Sequence, residues 1–177
     1  MTILILGGDS KIGSLVIKRL RHEEREYLTT TRRAHKVTNK CIYFDMRKFN
    51  KEKIIRIIEG VEIEAVVICF GQTSLLECQR NPAKTRLINV KTITDIYEVI
   101  SRNKIFTIFL STDRVFSGDT SFEVETATKQ PISEYGRQKG DCENRLNEIN
   151  GEKLAILRMS KVIMNRFNLI ENWMIRM

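Results

Sequence analysis

A chain of 177 residues is a single domain by length, long enough to bury roughly two thirds of its unfolded surface. No apolar run approaches the roughly 20 residues that a membrane helix needs, and the strand-like opening leaves no signal peptide to be expected. The net charge of +8 suits an anionic ligand, but Lys and Arg interleave with Glu at residues 21–26 and 50–53, which points to a solvated surface and away from nucleic acid.

The four cysteines (Cys41, Cys69, Cys78, Cys142) have neither metal-ligand spacing nor a C-x-x-C pair. They read as reduced structural thiols, so a cytoplasmic protein is expected, and nothing suggests a metal. His22 and His35 lie in polar stretches and read as solvated, Trp173 as a packing residue, and Met159 and Met164 as core or near it.

In chain order, residues 2–6 form a short β-branched apolar run, as in a strand buried on both faces of a parallel sheet. Gly7-Gly8 ends it, and the helical period of Ile12, Leu15, Val16 and Leu20 begins at once. A strand, a glycine turn and a helix N-terminus in succession make an anion site, whose usual guest is a dinucleotide pyrophosphate. Residues 27–31 and 41–44 read as the second and third strands, and 49–58 as a helix stopped by Gly60. Residues 65–70 are the clearest buried strand, and 82–102 predict one long helix. Residues 104–110 are the next strand, followed by a polar loop over 114–131. A helix over 133–149, a strand over 153–158 and a helix from 167 onward complete the chain. This alternation predicts an α/β fold, a Rossmann-type doubly wound parallel sheet with helices on both faces, in one NAD(P)-binding domain.

In such a sheet ligands sit beyond the carboxyl ends of the strands. Ser10 stands at the middle glycine of the usual fingerprint, small enough to lie near phosphates and able to donate its hydroxyl. Asp9 would repel a pyrophosphate and is expected to face solvent. Arg32 and Arg33 end the second strand where an NAD site usually offers a carboxylate, so NADPH is favoured over NADH; a solvated basic loop is the alternative. Thr112 closes the fifth strand, and Tyr135 and Lys139 lie four apart on one helical face. A lysine ammonium near a phenol stabilises phenolate, and a Thr hydroxyl across the cleft can hold a carbonyl while Tyr moves the proton.

Together these stretches resemble the extended short-chain dehydrogenase/reductase family, in its dTDP-4-dehydrorhamnose reductase branch. The resemblance rests on residues 5–13, Phe44-Asp45, Asn89-Val90, residues 109–118, Pro131 through Tyr135-Gly-Arg-Gln-Lys139, and residues 156–160, which run collinearly. It implies Thr112, Tyr135 and Lys139 as the catalytic set, with Tyr135 as acid or base. It also implies Gly7, Ser10, Lys11, Ile12 and Gly13 at the pyrophosphate and Arg32 at the 2′-phosphate. Asp45 would reach the adenine, and Phe70 and Gly71 would line the dinucleotide path. The implied reaction is NADPH reduction of a 4-keto-6-deoxy nucleotide sugar. The chain departs at Ser10, at Arg114 where relatives carry an aromatic residue, and in its length, since relatives usually continue well beyond this point. A non-catalytic nucleotide-binding regulatory or partner subunit on the same fold, and a piece of a longer reductase, therefore stand beside the enzyme. A homo-oligomer or partner covering the C-terminal side is part of the expectation.

Overall fold

The computed structural model describes residues 1–160 and 162. Six parallel strands form one sheet: β1 (Thr2–Leu6), β2 (Tyr27–Thr31), β3 (Cys41–Tyr43), β4 (Ile63–Ile68), β5 (Phe106–Thr112) and β6 (Leu154–Met159). Their spatial order is β3-β2-β1-β4-β5-β6, the dinucleotide-binding Rossmann arrangement. The order reverses between β1 and β4, and there the chain leaves the two neighbouring strands in opposite directions and opens a crevice.

Alternation along the strands divides the core in two. Leu4, Leu6, Val66, Ile68 and Phe109 face one side and form the main cluster with Ile54, Ile57, Ile96, Ile100 and Leu146. Three helices supply that cover: α2 (Lys51–Glu59), α5 (Ile93–Arg102) and α6 (Glu134–Asn150). On the other side Ile5, Leu20 and Tyr27 make a smaller cluster with Val16 and Ile17 of α1 (Lys11–His22). Register pairs Phe109 with Ile156 and Leu110 with Leu157, so Phe106 and Leu157 share this second face, where both are exposed. Helices thus lie on both faces, but unequally among the described residues.

Among the described residues the predicted elements are present with shifted ends. The helix expected over 82–102 is three consecutive segments: α4 (Pro82–Arg86), a π-helical turn (Leu87–Thr92) and α5. A widened turn of this kind is often found at functional sites. A further helix, α3 (Leu75–Arg80), precedes them; its two leucines are exposed and only Cys78 is buried, so it lacks the apolar period that would announce it. The sixth strand ends at Met159, and Thr112 is the last residue of β5. The helix expected from 167 onward, with Met164 and Trp173, lies outside the described residues. Among the described residues no helix is long and apolar enough to cross a membrane.

Candidate active site

One cleft of about 990 Å³ runs along the carboxyl ends of the strands. Its residues come from every strand end, from Gly7 after β1 to Ser160 after β6. Of the sequence-derived site residues, Gly7, Ser10, Lys11, Ile12, Arg32, Asp45, Phe70, Gly71, Thr112 and Tyr135 line it. Gly13 and Lys139 lie behind the lining.

The glycine turn is held by its own geometry. Gly7 has φ +93°, and a Cβ there would meet the Phe70 Cβ at 2.9 Å. A Cβ on Gly13 would come to 2.5 Å from the Gly7 carbonyl oxygen, so α1 closes against the turn only through glycine. Ser10 sits in extended backbone (φ −72°, ψ 160°) and needs no glycine. It caps α1, its Oγ accepting from the Gly13 N–H at 3.0 Å. The first helical bond runs from Ser14 N to Ser10 O, so the N–H groups of Lys11 and Ile12 have no carbonyl partner inside the helix. They and the helix dipole form an anion-binding end.

Asp9 is exposed, as expected, but its carboxylate is bonded and not free. Its carboxylate accepts from the Thr31 hydroxyl and from Lys36 Nζ at 3.1 Å, tying the turn to the end of β2. Burial alone would raise its pKa; the Thr31 and Lys36 donors outweigh that and hold it below the usual carboxylate range. Arg32 and Arg33 are exposed along the same wall, and Arg33 N–H donates to Thr31 Oγ1 at 3.0 Å. Asp45 is buried, and its carboxylate is taken by Arg47: Nη2 to Oδ2 is 2.6 Å, and both Nε and the backbone N–H reach Oδ1 at 3.0 Å. That hydrogen bonding, over a smaller burial penalty, keeps Asp45 well ionised. Arg47, which the sequence reading missed, therefore joins Arg32 and Arg33 at this end of the cleft.

At the other end Thr112 donates its hydroxyl to Asp113 Oδ1 at 3.1 Å and accepts the Arg114 N–H at 3.3 Å. Tyr135 lies across the cleft on the first turn of α6, which Ser133 caps through the Gly136 N–H. Lys139 is almost fully buried. Its ammonium donates to the Leu110 carbonyl at 2.6 Å and lies 3.8 Å from the centre of the Phe109 ring. Desolvation lowers its pKa to about 8. The expected lowering of the Tyr135 phenol is not found: burial pushes it up to about 12, Cys78 and Asp113 push the same way, and Arg114 is the cation that pulls it down. Lys139 serves the back of β5 instead, because the low-dielectric site under the strand offers it a carbonyl and a ring face.

Behind these residues lies a polar layer that the sequence reading missed. Glu143, fully buried one turn after Lys139, accepts from the Ser111 hydroxyl, from Arg158 Nη2 at 2.8 Å and from Lys129 Nζ at 3.3 Å. Arg158 also donates to the Glu125 carbonyl at 2.7 Å, so this carboxylate ties β5, β6 and the polar loop to α6. The i, i+4 spacing of Lys139 and Glu143 was the available signal. Cys69 lines the cleft, and burial pushes its thiol up to about 12, which leaves it unreactive.

A sequence model of the RmlD substrate binding domain family matches residues 1–177. Among curated proteins, the probable low-salt glycan biosynthesis reductase Agl14 of Haloferax volcanii is 28% identical over 163 residues, 92% of this chain and 54% of that protein. Among solved structures, the dTDP-4-dehydrorhamnose reductase of Bacillus anthracis in complex with NADP has a TM-score of 0.81 at 18% identity, covering 99% of this chain and 60% of that one. The UDP-glucose 4-epimerase of Thermus thermophilus in complex with NAD has a TM-score of 0.76 at 21% identity, covering 89% and 54%. The chain therefore spans about half the length of the curated relative it matches.

Proposed function

Because the chain belongs to the RmlD substrate binding domain family, we propose that it carries the cofactor site and acid–base groups of an NADP-dependent oxidoreductase that reduces a keto group of a nucleotide-activated sugar. The observation that carries this reading is that one cleft gathers the helix N-terminus after Gly7, the Arg32 wall, Thr112 and Tyr135. The residues present fit a phosphorylated dinucleotide. The Lys11 and Ile12 N–H groups would hold its pyrophosphate. Arg32, with Arg47 steadied by Asp45, would hold a 2′-phosphate and favour NADP over NAD. Phe70 and Gly71 would flank its path.

NADPH, when bound, supplies the hydride for such a reduction. The carbonyl oxygen then needs a proton, and Tyr135 holds one: a phenol pushed up to about 12 is fully protonated at neutral pH. Arg114 offsets part of that rise and so eases release of the proton. The Thr112 hydroxyl, on the facing strand end, would orient the carbonyl by turning its one proton from Asp113 to the substrate. Lys139 braces the Leu110 carbonyl just before that strand end and puts positive charge beneath it. We place the protein in the cytoplasm on the same reading, with its four cysteines free.

A second reading, a nucleotide-binding partner subunit without turnover, is favoured by Phe106 and Leu157, both exposed on the sheet face that is lightly covered among the described residues. The deciding experiment is calorimetric titration of the chain with NADPH and NADH, followed by NADPH consumption with a 4-keto-6-deoxy nucleotide sugar. Tight NADPH, weak NADH and turnover are expected. Tight NADPH with no turnover on any keto sugar nucleotide excludes an enzyme complete in this chain and leaves the partner subunit and the piece of a longer reductase, and no binding of either dinucleotide overturns both readings.

A further inference from the structure

The largest buried side-chain amide network in the described residues lies just behind the cleft, and Gln138 is its hub. Gln138 stands between Tyr135 and Lys139 on α6 and is fully buried. Its Oε1 accepts from Asn89 Nδ2 at 2.8 Å, and its Nε2 donates to Thr85 Oγ1 at 2.9 Å and Glu134 Oε1 at 3.0 Å. The direction of these bonds is forced. The single proton of the Thr85 hydroxyl goes to the Asn81 or Pro82 carbonyl, so Thr85 can only accept from Gln138. A reversed amide would also set its oxygen against the Glu134 carboxylate.

Asn89, on the π-helical turn, is equally buried and equally spent. Its Oδ1 accepts the Gln72 N–H at 2.7 Å, and its Nδ2 donates to the Gln72 carbonyl at 2.9 Å as well as to Gln138. Both backbone groups of Gln72 are therefore clamped by one side chain, and Gly71 lies so close that a Cβ there would sit 3.2 Å from Asn89 Oδ1. Residues 71–73 form the cleft wall beyond β4. The chain of bonds thus runs from that wall, through Asn89, to the helix turn that bears Tyr135 and Lys139.

We propose that Gln138 is a positioning residue: through Asn89 it fixes the wall at residues 71–73 against the helix carrying Tyr135, and so sets where the redox end of a bound dinucleotide meets the acid–base groups. The inference rests on the reductase reading of the cleft. Two neutral hydrogen-bonded amides in a dry site are rigid when every group is satisfied, and the wall loses its register when one is removed. The adenosine end is held by α1, Arg32 and Arg47, none of which touches this network.

That separation supplies the test. NADPH, which spans the cleft, and 2′,5′-ADP, which fills only the adenosine end, are titrated against the wild-type chain, Gln138→Met and Thr85→Val. Gln138→Met keeps the length and removes the bonds. Thr85→Val keeps the shape and removes one of the two acceptors of Nε2, leaving Glu134, along with the hydroxyl's own bond to the Asn81 or Pro82 carbonyl. The expected result for Gln138→Met is NADPH binding weaker by about threefold to tenfold, with a smaller blue shift of the nicotinamide emission and unchanged 2′,5′-ADP affinity. Thr85→Val should show the same pattern, weaker, and carries the test alone where Gln138→Met does not fold. Equal losses for both ligands, or none for either, overturn the proposal, because a merely structural residue would act on both alike. A wild-type chain that binds neither ligand overturns the reductase reading itself, and this inference with it.

Discussion

The β1–β3 end of the cleft presents backbone donors and exposed arginines, steadied mainly by short local motifs with Asp9 as a longer-range tie to Thr31 and Lys36, whereas the β5–α6 end presents side chains steadied by other side chains from distant elements. At the first end Ser10 caps its own helix, and Asp45 holds Arg47 two residues on. At the second, Glu143 gathers Ser111, Lys129 and Arg158, and Gln138 reaches 49 residues back to Asn89. An anion site for phosphate needs only free N–H groups and positive charge, which a short local motif provides. A proton donor must stand within hydrogen-bond reach of one atom, and that precision takes a supporting shell.

The sharpest way to break the comparison is Tyr135→Phe. If the two ends divide binding from chemistry, turnover should fall by about a hundredfold or more while NADPH affinity stays within about twofold. Steady-state rates alongside the calorimetric titration check it; full turnover in the Phe variant removes Tyr135 from the chemistry. Next in size is stability. Glu143→Gln keeps the shape but leaves Arg158 and Lys129 facing a neutral amide in a dry site, for an expected loss of about 3 kcal/mol in urea unfolding. At the other end Asp9→Asn removes a pair whose Lys36 is largely exposed, and less than about 1 kcal/mol should be lost. Equal losses would mean that the two ends are supported alike.

The same contrast explains what was legible. The strands, their parallel alternation with helices and the glycine turn were readable because each depends on residues adjacent in sequence: an apolar run, Gly7 at positive φ, an apolar helical period. Even Ser10, a departure from the fingerprint, follows a local rule, since the position asks for an N-cap and not for a positive φ. Asn89 was visible only as part of a resemblance, and Gln138 not at all, although it stands inside the Tyr-x-x-x-Lys segment. A buried glutamine looks like any surface glutamine until the partner at a separation of 49 residues is known. Lys139 was placed on the right face of α6, but its direction depends on the Leu110 carbonyl and the Phe109 ring, which no helical period encodes. The split of the 82–102 helix by a π-helical turn was hidden for a like reason. The turn's buried Ile88, Asn89, Val90 and Thr92 do not break the apolar pattern of the helix around them.

Lys139 offers the finest test of the difference between the ends. Its ammonium is buried at the chemistry end with a folded pKa of about 8, against roughly 10.4 in an unfolded chain. Between those values the unfolded state binds more protons than the folded state, so this group makes stability rise with pH. Below about pH 8 both states are protonated and the burial penalty is present in full. Lys139→Met has no such titration, so the wild type should gain about 1 kcal/mol of stability relative to the variant from about pH 7.5 to about pH 9. The thiols of Cys69 and Cys142, pushed up to about 12 by burial, titrate on unfolding in the same window, but both proteins carry them and the difference cancels their effect. Arg32→Met, at the exposed end, serves as the control that removes an exposed cation. Urea midpoints of the three proteins at the two pH values check this. A pH-independent difference for Lys139→Met would show that the ammonium is not confined beneath β5, and the contrast between a backbone-built and a side-chain-built end would then lose one of its supports.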